Sequence, residues 1–321
     1  RWGATGENLP PAAWAVSAHI EGAAGELEIG TGLGPAAGEI GPRRVVRLNG
    51  ADASGPAALD PYIAVVWLTP AMDRLMSESP ARRRRFLDRL AQTAEPGHAR
   101  RLAAYDHAMR ERTRLLQRGN ANRAWLEALE RTMAEHGIAL GATRCQAVAR
   151  LSAALAAAEG PFPRATLAVR GQVEDELAAM PATAVEDRFR ARLGEARPRD
   201  AMIGAASVGP HRSEFFVRHG DLDRAAEDCS TGQQKALLVS IVLASARLAA
   251  SRRGIAPLVL LDEVVAHLDA RQRDALFEAL AALGAPAWLT GTDRGLFGPL
   301  EGRAQFFVAE AGHVRPARTD S

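Results

Sequence analysis

Two adjacent carboxylates, Asp262 and Glu263, close an unbroken apolar run, Leu258-Val259-Leu260-Leu261. Such a run reads as a strand buried on both faces, and in open α/β sheets ligands lie beyond the carboxyl ends of the strands. Paired acids there are costly without a partner. With a magnesium-bound triphosphate beyond the strand, Asp262 would hold Mg²⁺ through its water shell and Glu263 would polarise the attacking water. A strand that merely ends in a solvated acidic turn is the competing reading. Next come Ala266-His267-Leu268-Asp269, and Asp269 stands where a helix from Ala270 needs its N-cap. Upstream, Cys229-Ser230-Thr231-Gly232-Gln233-Gln234-Lys235 opens a long apolar stretch. Ser or Thr followed by Gly at a helix start leaves free N–H groups at the positive end of the helix dipole, which suits a terminal phosphate. Plain capping by Ser230 accounts for the same residues.

A second group of residues suits a polyanion. Arg82, Arg83, Arg84 and Arg85, with Arg89, Arg100 and Arg101, can contact phosphates, each contact adding sequence-independent, salt-dependent binding. A charge run is equally a solvated helix face. His211-Arg212, after Gly209-Pro210, either reaches a nucleotide or a dimer partner or shapes the turn before the next strand.

The elements that must position these groups read as an α/β head. Ala13 to Glu21 and Glu26 to Thr31, parted by Gly22 and Gly25, predict a β-hairpin, and Arg43 to Leu48, closed by Asn49-Gly50, a further strand of the same meander. Tyr62 to Leu68 predicts a buried strand before the Thr69-Pro70 break. From Ala81 to about Gly160 strand signals vanish, and apolar spacing such as Leu115, Trp125, Leu126, Leu129 and Met133 predicts two helices turning at Gly119-Asn120. Residues 161 to 200 give no clear pattern. After Ala201 come a strand over Glu214–Arg218, a helix from about Gly232 to Ser251 and a strand over Pro257–Leu261. A helix over Ala270–Leu283, a strand over Ala287–Thr290 and a last strand near Gln305–Ala309 follow. That rhythm implies parallel pairing with right-handed crossovers. The expected division is 1–80 for the first part of the head, 81–200 for a helical lobe and 201–321 for the second part.

Composition fits a soluble enzyme. Hydrophobic residues at 47% and charged residues at 24% of 321 argue against disorder and membrane embedding, and a net charge of +2 decides nothing about partners. The apolar run Ala236–Ala250 is broken by Ser240, Ser245 and Arg247, so no bilayer span and no membrane partner are expected. Cys145 and Cys229 lack CxxC spacing, which excludes a zinc ribbon and fits the reducing cytoplasm, with both thiols inert. Arg1 to Pro11 show neither a basic n-region nor an apolar h-region, and the start is read as a truncation.

In order, Ser-x-Gly-Gln, a long helix, an apolar strand with Asp-Glu, and Leu-Asp resemble the signature, Walker B and D-loop of ABC-type ATPases. More closely, Ser230 to Leu238, Leu260 to Asp269, Trp288 to Asp293, Trp67 to Leu75, Arg83 to Arg89 and Gly209 to Ser213 resemble the RecF family over most of the chain. The resemblance implies an ABC/SMC-type head with an inserted helical lobe, weak ATPase activity with Mg²⁺, and an ATP-dependent homodimer on gapped DNA at single-strand/double-strand junctions. It also implies action with RecR and RecO to help load RecA. Under it Glu263 is catalytic, Asp262 is the metal residue, and Ser230, Gly232, Gln233 and Lys235 meet ATP in trans. His267, Leu268 and Asp269 form the D-loop, and Thr292 and Asp293 stand at the switch, where many ABC ATPases carry His. The family's phosphate loop, G-x-x-x-x-G-K-[ST], has no match, because Lys235 is the sole lysine and follows Gln234. The chain alone is therefore expected to bind ATP poorly and not to hydrolyse it. An SMC-like chromosome-associated head and a transporter-type ABC subunit are the alternatives; the short insertion disfavours the first, and Thr231 departs from the L-S-G-G-Q usual in the second.

Overall fold

A computed structural model describes residues 15–22, 25–33, 44–119, 122–254 and 256–317. The chain forms two compact units, one of residues 1–61 with 293–321 and one of residues 62–292. Ala13, Arg43 and Asn120, at the edges of predicted elements, lie outside the described residues.

In the first unit an antiparallel sheet runs β1 (Ala15–Gly22), β2 (Gly25–Leu33), β3 (Arg44–Leu48), β4 (Ala51–Asp52), as the meander reading expects. Asn49 and Gly50 join β3 to β4 at φ 49° and 79°. Positive φ at both positions of a two-residue turn matches the strand twist, which is why Asn-Gly signals a hairpin.

Among the described residues, the second unit holds two sheets and all eight α-helices. Its parallel sheet is β5 (Val65–Leu68), β9 (Leu258–Leu261) and β10 (Ala287–Leu289), with β9 central and Leu261 in register with Leu68 and Leu289. Val66, Leu68, Val259 and Leu261 are buried. The expectation of a strand buried on both faces is corrected here, because Leu258 and Leu260 are half-covered and Trp288, in register with Leu260, is 64% exposed. The other sheet, β6 (Ala165–Arg170), β7 (Glu214–His219), β8 (Arg224–Ala225), is antiparallel, so the strand at Glu214 does not join the parallel set as its rhythm implied.

Three helices stand where two were read: α1 (Pro80–Ala94), α2 (His98–Gln117) and α3 (Arg123–Ala156). The missed break is Glu95-Pro96-Gly97, where Pro96 cannot donate and Gly97 takes φ 95°. α3 runs back along α2: a Cβ on Gly137 would lie 3.2 Å from the Tyr105 ring and 2.9 Å from that of Phe189, so the close approach requires glycine. Leu115, Leu126 and Met133 of the predicted stripe are buried, whereas Trp125 is 51% exposed. The unassigned region contains β6 and the short helices α4 (Gln172–Leu177), α5 (Ala182–Glu195) and α6 (Arg197–Ile203). Two buried ion networks cross these helices. Arg112 donates to Glu130 (2.9 Å), Asp200 (2.6 Å) and the Leu193 carbonyl (2.6 Å). Arg144 grips both oxygens of Asp88 (2.8 and 2.9 Å) and the Pro210 carbonyl (2.6 Å), while His98 meets Asp88 at 2.9 Å.

The helix α7 (Thr231–Arg253) is long and apolar enough to cross a bilayer by length and composition, which the breaks at Ser240, Ser245 and Arg247 did not suggest. It packs against α1, α3, β5 and α8 (Ala270–Leu283), with residues 234–246 all buried, and serves as the core helix of its unit. The strands β11 (Phe307–Glu310) and β12 (His313–Pro316) form a hairpin in the first unit.

Candidate nucleotide site at the end of the parallel sheet

Strand β9 continues its ladder one residue beyond its last apolar position. The Asp262 N–H donates to Leu68 O at 2.9 Å, and the Thr290 N–H donates to Leu261 O at 3.0 Å. Both neighbours thereby fix where the acids emerge, and the carboxylates of Asp262 and Glu263 are exposed at the sheet's carboxyl edge. Glu263 has φ 52°. A left-handed conformation at a non-glycine residue costs on the order of 1 to 3 kcal/mol and persists only where surroundings impose it. Here both of its main-chain polar groups are held. Its N–H donates to Thr290 Oγ1 at 3.1 Å, and its carbonyl accepts from Lys235 Nζ at 3.1 Å. The Thr290 hydroxyl in turn donates to Asp262 Oδ1 at 2.5 Å, so one side chain orients both acids.

The turn after the acids buries Val264, Val265 and Leu268 while His267 and Asp269 stay exposed. Asp269 caps α8 in a reciprocal box: its carboxylate accepts from Gln272 N (2.8 Å), and its own N–H donates to Gln272 Oε1 (3.4 Å). Within the predicted D-loop, then, Leu268 is the anchor and the two polar residues face solvent.

Ser230 caps α7 in the same way, accepting from Gln233 N at 3.3 Å and donating its N–H to Gln233 Oε1 at 3.0 Å. Ser230 and Gly232 are exposed, and a Cβ built on Gly232 meets nothing within 4 Å. Among the described residues, therefore, no packing requires a glycine there. Gln234 turns inward, donating to the Cys229 carbonyl at 3.0 Å and to Ser77 Oγ at 3.2 Å. Lys235 departs most from the sequence expectation. It is 4% exposed, with Nζ 3.2 Å from Asp73 Oδ2, and so supports the acid turn of its own chain from below. It offers no surface for ATP in trans, because the helix period carries a residue five positions past the cap onto the packed side.

The other predicted residues separate. Thr292 and Asp293 are exposed, and Asp293 accepts from Gly295 N at 2.8 Å as the cap of a short 3-10 helix; the hydroxyl that meets the acids belongs to Thr290. In the arginine run, Arg83 is buried in ion pairs with Glu214 and Glu227, and Arg84 donates to the Ser213 carbonyl at 2.6 Å. Only Arg82 and Arg85 are exposed, and Arg82 pairs with Glu78 at 2.8 Å. Arg89 lies over the Trp67 ring at 4.3 Å, and burial lowers its pKa to about 10. His211 meets the Tyr105 hydroxyl at 2.7 Å and the Ala206 carbonyl at 2.9 Å, and burial lowers its pKa to about 4. It therefore acts as a neutral ring that accepts at Nδ1 and donates from Nε2. Burial raises Cys145 to about 11 and pushes Cys229 upward as well, so neither thiol ionises near neutrality.

DNA replication and repair protein RecF of Mesorhizobium japonicum is 47% identical over 305 residues, covering 94% of this chain and 80% of that protein. The chain belongs to the RecF family. RecF of Rhizobium meliloti is 45% identical over 306 residues, covering 95% of this chain and 81% of its own length. A family profile described as "AAA domain, putative AbiEii toxin, Type IV TA system" matches residues 69–309. Among solved structures, the recombination mediator protein RecF-ATPrS of the RecFOR pathway aligns with TM-score 0.78 at 18% identity, covering 97% of this chain and 82% of that one. RecF-ATP aligns with TM-score 0.76 at 19% identity, covering 95% and 80%. The α/β head expected from sequence, with its antiparallel opening, is thus the RecF fold.

Proposed function

We propose that the chain forms most of an ATP-operated DNA-repair head, in which the cap of α7 on one copy closes on the ATP held by Asp262 and Glu263 of another. One observation carries this reading: Ser230 and Gly232 form a capped helix start open to an outside group, and the acids at the end of β9 stand equally open to solvent, with only Asp262 Oδ1 engaged, by Thr290. Both are half-sites. ATP between two copies supplies what each lacks, and the affinities for ATP and for the second copy then rise together. Solved relatives are described with ATP and with ATPrS.

Asp262 fits a hard cation held through water, because its carboxylate is exposed and only Oδ1 is engaged, by Thr290. Bound there, Mg²⁺ would neutralise charge on the β- and γ-phosphates. Glu263 takes the proton of the attacking water. Lys235, the sole lysine, is occupied by Asp73 and Glu263, so the 321-residue chain by itself has no ammonium for the phosphates and turns over no ATP. On DNA the dimer sits at single-strand gaps, works with RecR and RecO, supports RecA loading and is released by hydrolysis in the cytoplasm. Arg85, exposed, and Arg82, exposed but paired with Glu78, are the members of the arginine run at the surface where phosphates could be met.

The test is mass measurement of the full-length gene product in solution with and without ATP. Glu263→Gln should slow hydrolysis and lengthen the life of the ATP-bound dimer; a monomer at saturating ATP, or unchanged turnover in the variant, contradicts the reading. DNA binding that weakens steeply across a salt series separates this function from that of a transporter subunit.

A further inference from the structure

We infer that Lys235 is a positioning residue for Glu263, and that Asp73 positions Lys235. This rests on the reading of Glu263 as the base and adds the device that aims it. A buried ammonium is among the most expensive groups to hold in a core, and an apolar side chain of similar length would pack the inner face of α7 at less cost. The fold nonetheless places the one lysine of these 321 residues there, 4% exposed, with Nζ 3.1 Å from the Glu263 carbonyl and 3.2 Å from Asp73 Oδ2.

The acceptor explains the arrangement. Among the described residues only Asn49, Asp223, Glu263 and Ala311 have positive φ without being glycine. Glu263 is the one at the acid turn, and its main chain is clamped at both ends, by Thr290 on the N–H and by Lys235 on the carbonyl. Removing the lower clamp lets the peptide relax toward negative φ and swings the carboxylate away from the line of attack. A misplacement of about 1 Å can cost on the order of 100-fold in rate. Lys235 also lies only five residues below Ser230, about 7.5 Å along the helix axis. The residue that steadies the base is therefore on the helix whose exposed cap is read as the contact with the other copy's nucleotide.

Asp73 directs the ammonium, accepting from Nζ at 3.2 Å. It sits just beyond a 3-10 turn (Pro70–Met72) that follows β5, so the ion pair joins the ends of the two neighbouring strands β5 and β9 through the helix α7.

The experiment uses the full-length gene product and reads turnover at saturating ATP, the KM for ATP and ATP-induced dimerisation. Lys235→Met should lower kcat about 10- to 100-fold while KM and the dimer midpoint stay within about threefold. Lys235→Arg, which can still donate to the carbonyl, should recover part of that loss. In a Glu263→Gln background Lys235→Met should lower the residual turnover no further, because nothing remains to be aimed. A folded Lys235→Met protein with parental kcat overturns the inference, as do a fall in kcat matched by the fall in ATP affinity and a full further loss in the Gln background. If Lys235→Met does not fold, Asp73→Asn decides: kcat should fall about 3- to 10-fold with ATP affinity kept, and an unchanged kcat overturns the inference. The two readings fail differently. Glu263→Gln with parental turnover removes the base itself and the inference with it, whereas an inactive Glu263→Gln beside an unaffected Lys235→Met removes only the positioning role.

Discussion

Replacing Thr290 with valine removes one hydroxyl while keeping the shape of the side chain. That oxygen makes two bonds, donating to Asp262 Oδ1 at 2.5 Å and accepting from the Glu263 N–H at 3.1 Å. A hydrogen bond to a charged group contributes about 1.5 to 3 kcal/mol net and a neutral one about 0.5 to 1.5. Both partners are exposed, so water replaces much of each bond, and the stability loss should be near 1 kcal/mol, a shift of about 2–4 °C in Tm. Water cannot replace the alignment. With Asp262 free to rotate and the Glu263 amide released, a barrier increase of about 1.4 to 2.7 kcal/mol gives roughly a 10- to 100-fold fall in kcat. The assay is steady-state ATP turnover of the full-length protein across a Mg²⁺ titration, beside a thermal melt. Turnover within twofold of the parent would refute the reasoning, and the refutation would be stronger if Thr292→Val abolished turnover, since the orienting hydroxyl would then be the other threonine.

Two further outcomes follow from buried polar groups. His211 has its folded pKa lowered from 6.5 to about 4 by burial, so between those values the unfolded chain binds more protons than the folded one. Stability is then complete above about pH 6.5 and falls by roughly 3 kcal/mol as the pH drops toward 4; urea melts at stepped pH should show this slope and should lose it in His211→Gln, and an unchanged slope in the variant contradicts it. Asp88→Asn strands Arg144 and His98 inside the helical core and should cost about 3 to 5 kcal/mol by urea denaturation, whereas Glu78→Gln, which loosens only the exposed pair with Arg82, should cost less than about 1. Equal losses in the two variants would mean that the buried network carries no weight.

The outward parts of the site were legible in the sequence because their signals are local. Ser230 with Gln233, and Asp269 with Gln272, carry the three-residue spacing of a capping box, and both boxes form. The run Leu258–Leu261 marked a strand, and the Asn49-Gly50 turn marked a hairpin. What the sequence hid depends on partners distant along the chain. Lys235 is brought to Asp73 across 162 positions, and nothing near either residue announces the other. Arg83 belonged to a basic run that reads as a solvated face, until the fold set Glu214 beside it, 131 residues on. Arg112 and Arg144 likewise sat among surface-type charges on helices and are buried. Thr290 was one of three hydroxyl or acid residues after β10, and only the parallel register of β9 and β10 places its hydroxyl on the acids. Residues 161–200 were hard to read because β6, α4 and α6 have only 6, 6 and 7 residues, too few for a period to emerge, which left α5 as the one longer element there.

The central claim, a nucleotide shared between the α7 cap of one copy and the acid turn of another, is tested by mixing two inactive proteins. Full-length Ser230→Arg blocks the cap and Glu263→Gln removes the base, so each homodimer has two dead sites. In a mixed dimer one site combines both defects, but the other joins the intact cap of one copy to the intact acids of its partner. ATP turnover should therefore return on mixing, to about a quarter of the wild-type rate for equal amounts and random pairing, since half the dimers then carry one live site of two. Turnover that stays at the sum of the two separate proteins, with mixed dimers shown to form, would place the cap and the acids in independent sites and contradict the account.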